Sequence, residues 1–390
     1  MRKFLVACLL AGLALPALHA EEKEEAKKKG FMADDKTLFE QVTGIEKKQD
    51  KFNLFLNMQG SFDLKFRNGF DEGNFYMRQL RIEAKGTLNN WLSYRYRQRL
   101  NRPNNGADKI DNLPTSIDIA GLGFKLNDKF SLFAGKQCAA YGGIEFDLNP
   151  IEIYEYCDMI ENMSNFMTGL NVAYEVTPTQ QLQLQILNSN NGSIESTYGN
   201  NLTKAKLPLV YTLNWNGNFN DVFKTRWSAS VMNETKDNHM DYFALGNELN
   251  LGKFNAYLDF MYSKEELDRK GIITSMVGLE NDHNASDAAY MSLVLKMNYR
   301  IAPKWNVFVK GMYETASTTK AQGNVEKGKY RTSWGYLGGV EYYPMKTNLH
   351  FFLTYVGRSY VYTDRAKMLG QDDYNTNRLS LGFIYQLPVF

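Results

Sequence analysis

The chain has 390 residues, 44% of them apolar and 23% charged, with 45 basic against 43 acidic side chains. Its 24 Phe, 24 Tyr and 5 Trp exclude a disordered chain, and 9 Pro with 3 Cys exclude a collagen-like or disulfide-dense one. Beyond the first twenty residues no apolar run approaches the roughly 18–20 residues of a membrane-spanning helix, and the near-balance of charge removes the electrostatic case for nucleic acid.

Residues 1–20 carry a basic start at Arg2 and Lys3, an apolar stretch from Phe4 to Leu15 and small Ala20 at the end. That is the pattern of a cleaved secretory signal. The Leu5-Val6-Ala7-Cys8 stretch has the look of a lipoprotein signal, but Cys8 would leave almost no apolar core ahead of it. Residues 21–50 open on a mixed-charge block, Glu21 to Lys29, and read as a solvated leader.

From Phe52 the period becomes two. Phe52, Leu54, Leu56, Met58, Phe62, Leu64 and Phe66 hold one parity while Asn53, Asn57, Gln59, Ser61, Asp63 and Lys65 hold most of the other. One greasy and one wet face predict a strand. The alternation recurs near 51–66, 74–86, 91–101, 116–126, 130–137, 166–176, 181–189, 207–216, 222–233, 241–251, 254–263, 288–299, 305–314, 331–343, 348–358 and 376–389, which makes sixteen strands.

Short turns at 86–90, 127–129, 177–180, 216–218, 252–253, 302–304 and 344–347 alternate with mostly longer connections, including 102–115, 137–165, 190–206, 264–287, 315–330 and 359–375. Strands of about ten residues, joined by short turns on one side and long loops on the other, predict an all-β fold: a transmembrane antiparallel β-barrel over 51–390. Trp91, Tyr94, Tyr96, Tyr174, Trp215, Trp227, Trp305, Tyr313, Tyr355 and Tyr385 fall near strand ends or on the apolar parity, as interfacial girdles do. The last strand carries Leu379, Leu381, Phe383, Tyr385 and Leu387 in phase, with Phe390 out of phase after Pro388, where a bulge would reset it.

Parity also assigns the lumen. In 91–101 the lipid face is Leu92, Tyr94, Tyr96 and Leu100, so Arg95, Arg97 and Arg99 form a ladder on the lumen face. The strand before it adds Arg81 and Lys85 with Glu83 between them, and later strands add Lys224, Arg226, Lys296, Lys310 and Arg378. A permanently charged guanidinium makes bidentate bonds to anions, and basic rows in a narrow aqueous pore concentrate them. Lumen charges that merely pair with lumen carboxylates are the bland alternative.

Segment 137–165 has the opposite sign. It holds Glu145, Asp147, Glu152, Glu155, Asp158 and Glu161 without a Lys or Arg, and it carries enough apolar residues to pack. We expect it to fold inward and constrict the pore. Carboxylates facing the arginine ladder would then set a transverse field that favours dipolar or modestly charged solutes. Cys138 and Cys157 bracket the segment; they would staple it if paired in an oxidising compartment, or remain two buried thiols.

Enzymatic motifs are absent. His239, His283 and His350 form no pair with a nucleophile, and no Gly-x-Ser-x-Gly, His-Glu-x-x-His or EF-hand spacing occurs, so no catalytic, metal or cofactor site is expected. Two other functions stay open: an outer-membrane enzyme with a loop-borne site, and a plugged structural or adhesive barrel.

Three stretches carry a family resemblance: Phe75 to Gly86, Leu92 to Arg97, and Leu132 to Gln137 leading into the long segment. In these and in its layout over 50–390 the chain resembles the phosphate-selective porin O and P family of Gram-negative outer membranes. The resemblance implies a sixteen-stranded barrel, a homotrimer in outer-membrane lipid, an inward third loop and an arginine-lined channel for small hydrophilic or anionic solutes. The acidic segment 137–165 departs from the basic constriction of members named for phosphate, so phosphate itself is carried over only as one candidate. Arg81, Arg95, Arg97 and Arg99 are the expected solute contacts.

Overall fold

The computed structural model describes residues 51–104, 110–321 and 325–390. The expected signal sequence 1–20 and leader 21–50 lie outside the described residues. Among the described residues sixteen strands follow in order: β1 Asn53–Phe66, β2 Phe70–Asn89, β3 Leu92–Arg99, β4 Ile117–Lys125, β5 Phe130–Cys138, β6 Phe166–Thr177, β7 Gln180–Asn188, β8 Leu209–Phe219, β9 Phe223–Asn233, β10 His239–Leu251, β11 Phe254–Leu267, β12 Ser286–Ala302, β13 Trp305–Thr318, β14 Gly328–Tyr342, β15 His350–Tyr362 and β16 Tyr374–Pro388. Each pairs antiparallel with its neighbours, and β1 closes on β16 with Asn57 opposite Gln386. Closure gives every one of these strands two partners, which is what a sheet needs inside hydrocarbon. Among the described residues no helix is long and apolar enough to cross a membrane.

The alternation that builds the strands also sorts their faces. Leu213, Val231, Leu295, Leu353 and Leu381 point outward and are exposed, while Thr212, Ser230, Val294, Thr354 and Ser380 on the other parity are buried inside. Turn chemistry fixes the short end. Asn89 Oδ1 accepts from the backbone N–H groups of Trp91 and Leu92, and Asn127 Oδ1 does the same for Lys129 and Phe130. Beyond β16, Val389 and Phe390 both donate to the carbonyl of Leu54, the two-on-one pattern of a bulge.

Some boundaries move. The turn expected at 216–218 lies instead at 220–222, because Asn220 (φ 56°) and Asp221 (φ 58°) both take the left-handed conformation of a tight hairpin while Gly217 stays in β8. On the long-loop side β11, β13 and β15 run past their expected ends, trimming those connections to 268–285, 319–327 and 363–373.

Segment 139–165 is hydrogen-bonded to inward-facing side chains around the barrel. Ala140 N–H donates to Gln185 Oε1 of β7 (2.7 Å), and Ser228 of β9 donates to the Tyr141 carbonyl (2.5 Å). Asp259 of β11 takes both the Ile144 and Glu145 N–H groups, capping a short turn of helix at Glu145–Asp147 (2.7 and 2.9 Å). Farther along, Asn149 donates to Asn57 of β1 (3.2 Å), and Tyr154 donates to Glu341 of β14 (2.7 Å). The entry requires glycine: Gly142 and Gly143 have φ 72° and 77°, and a Cβ on Gly142 would stand 2.6 Å from Ser228 Oγ.

The apolar residues of the segment, among them Tyr141, Phe146, Ile151, Met159 and Ile160, join one buried cluster with Met232, Met240, Met261, Phe308, Met312 and Val356 of the wall. The core of this barrel therefore sits inside it, mainly between the segment and strands β9–β15.

Cys138 and Cys157 are free thiols, so the staple is not made. Cys138 ends β5 with its sulfur toward the Ala139 and Phe146 carbonyls, while Cys157 is wholly buried in the apolar cluster ahead of the short helix Asp158–Glu161. Hydrogen bonds and packing hold the segment without a covalent link.

Candidate functional site

Inside the barrel lies a cavity of about 690 Å³ bounded by β2–β5 on one side and segment 139–165 on the other. Arg81, Arg95, Arg97 and Arg99 line it, joined by Arg78, Arg102 and Lys136. Carboxylates are set among them. Asp118, almost fully buried, accepts from Arg81 Nε (2.9 Å) and Arg99 Nε (2.7 Å) and lies 3.3 Å from Arg97 Nε. Glu83 takes Arg95 (2.8 Å), Asp63 takes Arg78, and Asp111 stands 3.1 Å from Lys136. Three guanidiniums sharing one carboxylate keep a positive excess, and each is held in a fixed orientation. Arg97 and Arg99 also stack over the Phe166 ring at 5.1 and 5.6 Å.

The other expected pore cations do something different. Lys310 donates to Glu145 Oε1 (2.8 Å) and to the Glu155 carbonyl (2.6 Å). Arg378 donates to Glu155 Oε2 (3.0 Å) and to the Tyr154 carbonyl (2.7 Å), and Arg226 faces Asp147 at 3.4 Å. Arg331 and Arg358 both grip Asp158. Lys85 lies toward the short-turn end, over the Phe55 ring at 4.9 Å and away from the cavity.

Of the loop carboxylates expected to face the arginine ladder, Glu145, Asp147, Glu155 and Glu161 line the cavity with it, but most of them are already paired elsewhere. Glu145, Asp147, Glu155 and Asp158 are bound by cations of the far wall. Glu152 lies near Lys296; burial raises its carboxyl above the usual range and Lys296 opposes the rise. Glu161 is left exposed at the cavity, with Arg102 and Arg99 within electrostatic reach. The physical reason is that most of the segment's acids and greasy residues turn together toward β9–β16, where the acids find partners and the greasy residues a core.

Several residues of the site escape a reading by alternation for a definable reason. Arg78 is the extra residue where the β1–β2 register slips between Gln59 and Gly60, and Asp118 is the extra residue where β3–β4 slips between Arg97 and Gln98. A bulge breaks the alternation that assigns faces. Lys136 shares its parity with Phe130 and Leu132, so alternation carries no signal for it. Arg331 and Arg358 obey parity, with Ser333 and with Thr354, and following it to the strand ends would find them.

The phosphate-selective porin O and P family matches residues 52–387 of the chain. The chain belongs to that family. This porin is thus a channel-forming barrel of the outer membrane and not an enzyme. Among solved structures it is similar to the outer membrane channel DcaP of Acinetobacter baumannii, with 12% identity over 86% of this chain and 96% of that one and a TM-score of 0.60. An anion-selective porin from Comamonas acidovorans matches with 8% identity over 86% and 99% of the two chains, TM-score 0.53. The trimer form of OmpT from Vibrio cholerae matches with 12% identity over 86% and 100%, TM-score 0.52. At such identities the likeness is one of fold. A search of the curated proteins found no match.

Proposed function

We propose that this porin is a passive diffusion channel for small anions, with Arg81, Arg95, Arg97 and Arg99 as its solute-contacting wall and segment 139–165 as the constriction that narrows the lumen. The observation that carries this reading is the crowding of six guanidiniums and Lys136 onto one side of a single cavity. The loop carboxylates that would neutralise them are mostly held by other cations. In a confined site fixed positive charge raises the local anion concentration and excludes cations. Phosphate is one candidate solute, on the strength of the family. A homotrimer in outer-membrane lipid is the assembly we infer; a trimeric protein of the same fold and the outward apolar rows of the strands support it.

The test is single-channel recording in a planar bilayer under a potassium chloride gradient, wild type beside Arg95→Ala/Arg97→Ala/Arg99→Ala. Stepwise currents with an anion-side reversal potential that moves toward zero in the triple variant are expected. A folded protein that gives no steps would instead be a plugged barrel, and one whose reversal potential ignores the substitutions would owe its selectivity to other residues.

A further inference from the structure

The side of segment 139–165 that closes the cavity offers carbon to the space in front of the arginines. Leu148, Pro150, Ile153 and Tyr156 line it there, and Phe166 adds a ring under Arg97 and Arg99. Leu148 and Tyr156 are only half-buried against the apolar cluster, so part of their surface stays open to the cavity. Tyr156 stands within electrostatic reach of Arg81 and Arg99, which puts its ring beside the ladder. Of the acids on the same lining, Glu145, Asp147 and Glu155 are each matched by a far-wall cation, and Glu161 lies near Arg102.

From this two-sided lining we infer that the cavity selects anions with an aromatic body, as aryl sulfonates and aryl phosphates have, over inorganic phosphate. The inference rests on the anion-channel reading above and names its solute class. A bare phosphate offers acceptors on every side and finds charged donors on only one, the segment adding Ser164 and Asn165 at its end; oxygens turned to Leu148 and Pro150 would lose water there. An aryl anion turns its charged group to the guanidiniums and its ring to Leu148 and Tyr156. The ring also suits guanidiniums, which are drawn to aromatic faces, and Arg97 and Arg99 already lie over the Phe166 ring.

The experiment is block of the chloride current through single channels by benzenesulfonate, methanesulfonate or inorganic phosphate, each at neutral pH. The two sulfonates carry the same permanently ionised group and differ in the body. Benzenesulfonate is expected to half-block at a concentration about fivefold below methanesulfonate, the gain from covering part of one ring with carbon. In Leu148→Asn/Tyr156→Asn that gap should shrink to less than about twofold as the same apolar contact is removed. Equal block by the two sulfonates in an anion-selective wild type, stronger block by phosphate, or a gap unchanged in the double variant would overturn the inference and leave the anion channel standing. If the variant fails to insert, bi-ionic reversal potentials of the wild type with the two sulfonates decide the matter alone. A wild type with no anion preference would remove the channel reading itself.

Discussion

Strands β9–β15 and strands β2–β5 bound the same lumen and present it with different materials. On the first arc Met232, Met240, Met261, Phe308 and Met312 close on the loop as a dry core crossed by buried ion pairs. On the second, guanidiniums backed by Asp118, Glu83 and Asp63 line a cavity, with Arg78, Arg95 and Arg99 partly exposed and Arg81 and Arg97 buried behind them. The contrast shows that basic residues on a lumen face divide into two kinds. Lys310, Arg226 and Arg378 anchor the loop, and Arg95, Arg97 and Arg99 line the cavity, although alternation assigns all of them to the same face.

Substitutions can break this contrast from either side. The largest effect belongs to Lys310→Met, which strands the wholly buried Glu145 carboxylate with the Tyr257 hydroxyl (2.5 Å) beside it and takes away its cation. A buried charge left without its partner costs about 3–5 kcal/mol. Denaturant unfolding from lipid vesicles should show that loss, and Lys310→Met/Glu145→Gln should recover most of it. Next comes Met261→Ala, which opens a cavity in the dry arc and should cost about 2–5 kcal/mol in the same assay. On the wet arc Asp118→Asn should cost less, about 1–3 kcal/mol, because an amide oxygen can still accept from Arg81 or Arg99. It should also strengthen anion preference in the reversal potential, since a negative charge leaves the ladder.

A pH test reaches the loops above the dry arc. Burial, and after it the neighbouring Glu265, pushes the Glu234 carboxyl up to about 8, with Arg269 opposing. Between the ordinary glutamate value and that figure only the folded chain keeps the proton. Stability from this group is therefore full below about pH 4.3 and is lost as pH rises toward and through 8. Protease resistance of the loops that Glu234 joins through Tyr198 (3.1 Å) should fall from mildly acidic to alkaline buffer, and Glu234→Gln should flatten the fall. The smallest stability change belongs to Arg95→Ala. Its side chain is 42% exposed, so solvent screens its pair with Glu83 and less than about 1 kcal/mol is at stake. The reversal potential should register it all the same.

The strand count and the ladder on β3 are legible in the sequence because lipid imposes one rule on outward residues, and Arg95, Arg97 and Arg99 follow it without interruption. Dry-arc strands are harder to read. On β10, Met240, Tyr242 and Ala244 face the core while Phe243 and Leu245 face lipid, so both parities are apolar and the pattern no longer marks the lumen. Parity names a face and never a partner, which is why it cannot tell that Arg378 holds Glu155 or that most of the loop acids pair with cations of the far wall. Bulges at Arg78 and Asp118 hide two more members of the wall, since one inserted residue reverses the assignment around it.

The ionic pins of the loop also bear on how the pore answers voltage. Four of its carboxylates are tied to wall cations, Glu145 to Lys310, Asp147 to Arg226, Glu155 to Arg378 and Asp158 to Arg358. A free acidic loop would be a gate, because moving one charge through the full membrane potential does about 2.3 kcal/mol of electrical work per 100 mV. Here each pull on a carboxylate is met by an opposite pull on the cation fixed to the barrel beside it. The loop is thus clamped against the field by the wall, and an applied voltage finds little net charge to drag.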